Sequence, residues 1–211
     1  WNMSLVQLRL GEFEEGWVNY DSSPMLRLQR TPVLNLLPIA RRGAPYPKTV
    51  IFGDVVKGLP VASATAELVY SSHTLEHLTL ADCRLALREA FRILKPGGCF
   101  RSVLPDISQL CRHYLAESPT QPGAALRFVQ ATNMGVEQAP RGLAWARSLF
   151  SRDAHLWMWD YPAMEQELRQ AGFVGVRRAS FGDSTFAGFE AVESKSRWDD
   201  GFGFEALKPG V

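Results

Sequence analysis

The stretch from Glu67 to Leu104 constrains this chain more than any other, because it reads as strand, helix and strand with clear punctuation. Glu67–Tyr70 (ELVY) is a short strand that runs into Ser71-Ser72-His73. Thr79 then offers an N-cap, and Asp82 adds a weak capping box. Cys83, Leu87, Ala90, Phe91 and Leu94 recur at helical spacing and make one apolar stripe. Lys95-Pro96-Gly97-Gly98 ends the helix, since proline cannot continue the hydrogen-bond ladder and glycine accepts the turn. Cys99–Leu104 (CFRSVL) follows as the next strand and leads into Pro105-Asp106.

The rest of the chain extends this alternation. Ser4–Leu10 and Trp17–Tyr20 read as strands, the second ending in Asp21. Residues 24–48 are punctuated by proline, and Thr49–Phe52 is a third strand before Gly53-Asp54. Asp106 can cap a helix whose buried face would be Ile107, Leu110, Cys111, Tyr114 and Leu115. Residues 123–150 lean helical but are broken by Gly135, Pro140 and Gly142. Asp160 and Pro162 start a further helix that stops at Gly172. Phe173–Phe181 and Gly188–Glu193 are read as a closing antiparallel pair joined through Gly182-Asp183-Ser184. The expected fold is therefore α/β: a Rossmann-like three-layer sandwich with a mostly parallel sheet and an antiparallel C-terminal strand. One domain over 1–211 is expected, with a helical insertion at about 107–160.

Composition narrows the partners. Lys and Arg total 23 against 22 for Asp and Glu, a net charge of +1 that gives no reason to expect nucleic acid. No apolar run approaches the roughly 20 residues needed to cross a bilayer, so no membrane partner is expected. Cys83, Cys99 and Cys111 have neither disulfide-framework nor zinc-ribbon spacing and suit a reducing compartment. A cytoplasmic location follows as the expectation, with oligomeric state open.

In open α/β sheets the ligand lies beyond the carboxyl ends of the strands. The residues after the strands are Gly11, Asp21, Asp54, Ser71-Ser72-His73 and Pro105-Asp106, a small, acidic and hydroxyl-bearing set suited to a nucleoside with an amino-acid tail. The run Val69–Asp106 carries Ser-Ser-His, Leu-Glu-His, Arg-x-Leu-Lys-Pro-Gly-Gly and Pro-Asp in that order. It resembles the central segment of small, type 11-like class I S-adenosylmethionine-dependent methyltransferases. The resemblance extends to Gly16–Asp21, Gly53-Asp54 and Ala171-Gly172-Phe173.

The resemblance implies S-adenosylmethionine as cofactor and a small-molecule or sugar-type methyl acceptor. It implies that Asp21 takes the ribose hydroxyls and Asp54 the adenine amino group, with the Val55 amide near the ring. Ser71 and Ser72 would line the methionine end, and Gly11 would stand at the first turn. His73 would serve as general base, because histidine titrates near neutral pH. Asp106, His155 and Trp157 are assigned to the acceptor side, and no metal is expected. Asp21 and Asp54 can equally be turn residues. The aromatic run His155–Tyr161 can be core or a lid, and His113 falls on the polar side of its helix.

The chain departs from the family at the first turn, where only Glu12 to Glu15 separate Gly11 from Gly16. A parallel neighbour needs a crossover of about a dozen residues or more. If the two flanking strands are adjacent and parallel, a glycine-rich stretch is missing after Gly11. The alternative is a methyltransferase fold that binds a partner or ligand without catalysis. A further rival is a zinc hydrolase, since His73-x-x-Glu76-His77 matches an inverted zinc-protease signature. Dinucleotide, phosphate-loop and hydrolase-elbow signatures are absent from the sequence.

Overall fold

The computed structural model of the chain describes residues 5–10, 17–32, 34–36, 45–135 and 154–210. Within them lie strands β1 (Leu5–Leu10), β2 (Trp17–Asp21), β3 (Val50–Phe52), β4 (Ala66–Ser72), β5 (Leu94–Pro105), β6 (Val174–Ala179) and β7 (Gly201–Leu207). They form one sheet in the order β3-β2-β1-β4-β5-β7-β6. β4 pairs in parallel with β5, and β2 with β3. β1 is antiparallel to both of its neighbours, as is β7. Following these pairings across the sheet, β2, β3, β4, β5 and β6 share one direction, while β1 and β7 oppose it.

Five of the seven strands thus share one direction, and the C-terminal strand is antiparallel, as expected. The reversal of β1 was not expected. It removes the premise of a long crossover, because an antiparallel neighbour can be reached by a short connection. Residues 11–16, which make that connection, lie outside the described residues.

The helices are α1 (Pro24–Arg30), α2 (Leu80–Ile93), α3 (Ile107–Glu117), α4 (Ala124–Ala131) and α5 (Tyr161–Gln170). α2 forms where its caps and stripe placed it. The Thr79 hydroxyl accepts from the Asp82 amide at 3.2 Å, and Cys83, Ala86, Leu87, Ala90 and Ile93 are buried. Leu94 is already extended, so the Lys-Pro-Gly-Gly exit forms the start of β5. α5 is capped by Asp160, which accepts from the Ala163 amide at 2.9 Å. Its end is set by Gly172, whose φ of +101° is left-handed backbone that a Cβ would strain. α2 and α5 cover one face of the sheet, with Met164, Leu168, Phe173 and Phe204 in the same core.

Three expectations are corrected. Gly188–Glu193 is not a strand: Phe189–Ala191 is a short 3-10 helix, and Phe189 is buried against Leu68, Tyr70 and Cys99 on the other face of the sheet. The strand that closes the sheet is β7, where Phe202, Phe204 and Ala206 alternate into the core beneath α2 and α5. The face assigned to α3 is not buried; Leu115 is 65% exposed, and the helix packs beside α4 through Tyr114 and Phe128, with ring centroids 5.3 Å apart. α3 and α4 occupy the region expected as an insertion, of which residues 136–153 lie outside the described residues.

The second face carries a buried charge network that the sequence did not advertise. Arg101 on β5 stands directly opposite Glu205 on β7, which also accepts from Arg177 on β6. The Arg101 side chain is fully buried and donates to Glu193 at 2.5 Å, Asp183 at 2.9 Å and the Ser180 carbonyl at 2.6 Å. Trp198 lies over the guanidinium at 4.7 Å. The network pins the 180–198 segment across the sheet.

Removing the cation would leave the nearly inaccessible Glu193 without its charged partner, while Glu205 would keep only Arg177. Arg101→Ala is expected to cost about 3–5 kcal/mol in urea unfolding, the usual consequence of leaving a buried charge without its partner. A loss below about 1 kcal/mol would show that the carboxylates find other partners. Burial alone would raise the Asp183 carboxyl, but hydrogen bonds from Arg177, the Ser180 amide and Arg101 outweigh it and hold the group down at about 2. A lowered carboxylate adds stability above its unfolded pKa and loses it on protonation. Stability is therefore expected to decline as pH falls from about 4 to 2, and Asp183→Asn should flatten that decline.

Candidate functional site

Because β2, β3, β4 and β5 share a direction, their carboxyl ends open on one rim. That rim carries Asp21, Asp54, Ser71, Ser72, His73 and Asp106. β1 runs the other way and Leu10 pairs with Ala66, the first residue of β4, so the chain leaves β1 at the opposite edge. Gly11 itself lies outside the described residues, and the end of β1 at the ligand rim is Leu5, opposite Ser72.

Asp21 is 7% exposed, and its Oδ1 accepts from the Ser23 amide at 2.6 Å. Ser23 in turn caps α1 by accepting from Met25. Burial raises the Asp21 carboxyl and the Ser23 amide opposes that shift. The turn role weighed for Asp21 is thus realised through one oxygen. Asp54 behaves similarly: Oδ1 accepts from the Val56 amide at 3.0 Å and Oδ2 pairs with Lys57 at 3.1 Å. Val55 packs half-buried against the core. Asp54 also lines a cavity of about 350 Å³ with Val56, His77, Leu78, Asp82 and Leu156.

Along β4 successive side chains face opposite sides of the sheet. Ser71 shares a side with Val69, beneath α2, and its hydroxyl is buried without a hydrogen-bond partner among the described residues. Ser72 shares the other side with Tyr70. His73 turns the chain off the strand with φ +50°, left-handed backbone that costs a non-glycine residue roughly 1–2 kcal/mol. Its Nε2 lies 2.9 Å from the Arg197 carbonyl and its Nδ1 lies 3.2 Å from Glu76 Oε1. Burial alone would lower the imidazole, but hydrogen bonds to Glu76 and the Arg197 carbonyl, with the Glu76 charge, raise it. Both ring nitrogens therefore face oxygen acceptors.

The His73-x-x-Glu76-His77 motif is not an α-helix. Leu75–His77 is a three-residue 3-10 helix, and all three residues are buried. The two imidazoles of the motif are therefore not paired on one helical face. His77 is brought instead to His155, with ring centroids 5.0 Å apart. His77 Nδ1 lies 3.1 Å from the Ala154 carbonyl and His155 Nδ1 lies 2.8 Å from the Thr132 carbonyl. The amides of Leu156 and Trp157 both bond to the Glu76 carbonyl, which locks this segment onto the turn after β4. Burial holds the His155 imidazole below its usual range, against the opposing Glu76 charge.

The aromatic run divides in two. Trp159 is buried in the core, whereas Trp157 is 42% exposed, its ring 6.2 Å from that of Trp159. Asp106 is 3% exposed and spends Oδ1 on the Ser108 amide at 2.9 Å as the α3 cap. His113 is exposed, as its helical position indicated. The sequence alone missed the Glu76–His77–His155 grouping, because His155 is brought in across 78 residues by backbone hydrogen bonds that leave no periodic trace.

The family described as Methyltransferase domain matches residues 32–101, about a third of the chain. No curated protein matches. Among solved structures, a Haloferax volcanii methyltransferase in complex with its activator is similar over 90% of this chain and 70% of that chain, at 16% identity and TM-score 0.45. An S-adenosylmethionine-dependent methyltransferase from Thermotoga maritima is similar over 81% of this chain and 67% of its own, at 18% identity and TM-score 0.41. PigF with S-adenosylhomocysteine is similar over 75% of this chain but 35% of its own length, at 17% identity and TM-score 0.41. With TM-scores under 0.5, none of these likenesses bears weight by itself. The match over residues 32–101 holds most of the run from Val69 to Asp106, and over that part the chain is similar to the Methyltransferase domain family.

Proposed function

We propose that the chain binds S-adenosylmethionine at the carboxyl rim of β2, β3 and β4 and transfers its methyl group to a small-molecule or sugar-type acceptor. One observation carries the proposal: Asp21, Asp54, Ser71, Ser72 and His73 converge on one rim, and Asp54 lines an adjoining cavity of about 350 Å³. That volume falls within the range of small-molecule sites, roughly 300–1,000 Å³.

The residues fit the nucleoside end of the cofactor. A carboxylate at the end of β2 suits a ribose diol, as in dinucleotide folds. Asp54 and Val55 would face adenine, and the unpartnered Ser71 hydroxyl, with Ser72, would meet the amino-acid tail. When bound, the cofactor supplies an activated methyl group, so the protein's work is alignment and exclusion of water. Asp106, His155 and Trp157 are assigned to the acceptor. His73 is assigned to proton removal from an oxygen acceptor, which requires its ring to release the Arg197 carbonyl or Glu76. Near-balanced charge supports an acceptor other than nucleic acid. Among the described residues no helix is long and apolar enough to cross a membrane, and a cytoplasmic location is part of the proposal.

A second reading is favoured by a specific observation. β1 runs antiparallel to β4 and ends with Leu10 opposite Ala66, at the edge of the sheet away from the rim. A methyltransferase fold that binds a ligand or partner without catalysis would tolerate that change.

Calorimetry with S-adenosylhomocysteine separates the two. Binding is expected, and Asp21→Ala should weaken it by roughly 10- to 100-fold, the loss of about 1.5–3 kcal/mol for a hydrogen bond to a charged group. Unchanged affinity would remove Asp21 from the site. Absence of binding by the unaltered chain would leave the non-catalytic reading in its place.

A further inference from the structure

The buried Glu76–His77–His155 group has the features of a metal site. One ligand atom from each residue lies within 4.8 Å of the others. Glu76 is 1% exposed and His77 9%. A carboxylate this deeply enclosed is costly unless a cation or several donors compensate it. Its Oε1 lies 3.2 Å from His73 Nδ1, and Oε2 has no hydrogen-bond partner among the described residues. No Lys or Arg pairs with it among those residues.

The histidines are oriented in a way that packing alone does not require. Each Nδ1 lies opposite a backbone carbonyl, Ala154 for His77 and Thr132 for His155. A carbonyl only accepts, so each Nδ1 carries a proton and the neutral ring offers its lone pair at Nε2. Metal-ligating histidines are held by the same kind of outer hydrogen bond, which fixes tautomer and ring orientation. Ligating carboxylates are likewise hydrogen-bonded from outside, which is the place His73 takes at Oε1.

We infer that Glu76, His77 and His155 bind one divalent first-row transition-metal ion, zinc by preference, through Glu76 Oε2 and the two Nε2 atoms. Two histidines and one carboxylate form a known zinc ligand set that leaves a further coordination position open. Ligand bonds of about 2.0–2.1 Å place tetrahedral ligand atoms about 3.4 Å apart. One ligand atom from each residue now lies within 4.8 Å of the others, so binding would draw the side chains inward. His77 also lines the cavity beside Asp54, so the ion would stand at the cavity wall and its open position could take water or an oxygen ligand. The site differs from the helical motif read in the sequence, because His155 replaces His73 as the second imidazole. It shares His155 and the cavity beside Asp54 with the methyl-transfer proposal, but metal binding is tested apart from cofactor binding.

The full chain, stripped with a chelator and returned to chelator-free buffer, is titrated with zinc chloride by calorimetry. Cobalt(II) absorption serves as the second readout. One ion per chain is expected, with the visible bands of a tetrahedral cobalt site. His155→Ala, at the least buried ligand, should weaken zinc by on the order of 100-fold or more and abolish the cobalt bands. Glu76→Gln keeps the side-chain shape and should weaken binding as well. His113→Ala, which removes an exposed imidazole elsewhere, should leave binding unchanged. No stoichiometric binding by the unaltered chain would overturn the inference, and so would binding that survives both His155→Ala and Glu76→Gln. Circular dichroism of the variants distinguishes a lost ligand from a lost fold. S-adenosylhomocysteine titration of the same samples reports separately on the cofactor proposal.

Discussion

The burial of the α2 stripe against β4 and β5 is the constraint on which the rest of the molecule depends. Cys83, Leu87, Ala90 and Ile93 are almost inaccessible and lie in one core with Val69, Phe100 and Leu104. An α-helix between two strands returns the chain to the same edge, so β4 and β5 become parallel neighbours. Once they are parallel, Ser72-His73 and Pro105-Asp106 leave the sheet on the same side. Each large aliphatic residue in this layer contributes about 1.5–3 kcal/mol by leaving water. The rim is therefore a by-product of a packing requirement, and the chemistry is placed on it afterwards.

What the sequence made legible was local. The Thr79, Asp106 and Asp160 caps each form the bond their position implied, because a cap needs only a side-chain oxygen and a backbone amide two or three residues away. The α2 stripe was readable for the same reason. The strand β7 was not read, although Phe202, Phe204 and Ala206 alternate, because GFEAVE carried a similar composition closer to the preceding turn. The direction of β1 was not readable either. Strand direction is set by which partner it meets, and nothing in six residues records that.

The site was legible in proportion to its nearness in sequence. Asp21, Asp54, Ser71, Ser72 and His73 follow strands, and strand ends fall on one rim by topology alone. Their individual contacts were not legible: Asp21 to Ser23, Asp54 to Lys57, and His73 to the Arg197 carbonyl depend on side-chain direction. Arg101 looked like an ordinary strand residue, yet it is among the largest fully buried side chains of the described residues. Its partners come from β7 and from the segment after β6, and only the finished sheet brings them together.

The reversed β1 has one more consequence, for the way the sheet is guarded against association. β1 lies between β2 and β4 and joins the two strands on one side to the four on the other through antiparallel pairing alone. It pairs with β4 on the side away from β5, and Ala66, Leu68, Val69 and Tyr70 of β4 are all nearly inaccessible. If the β1–β2–β3 unit lifts away, β4 becomes an apolar edge strand, the kind that templates pairing with another chain. In such a state the chain would be exposed to aggregation while the β4–α2–β5 core was still intact.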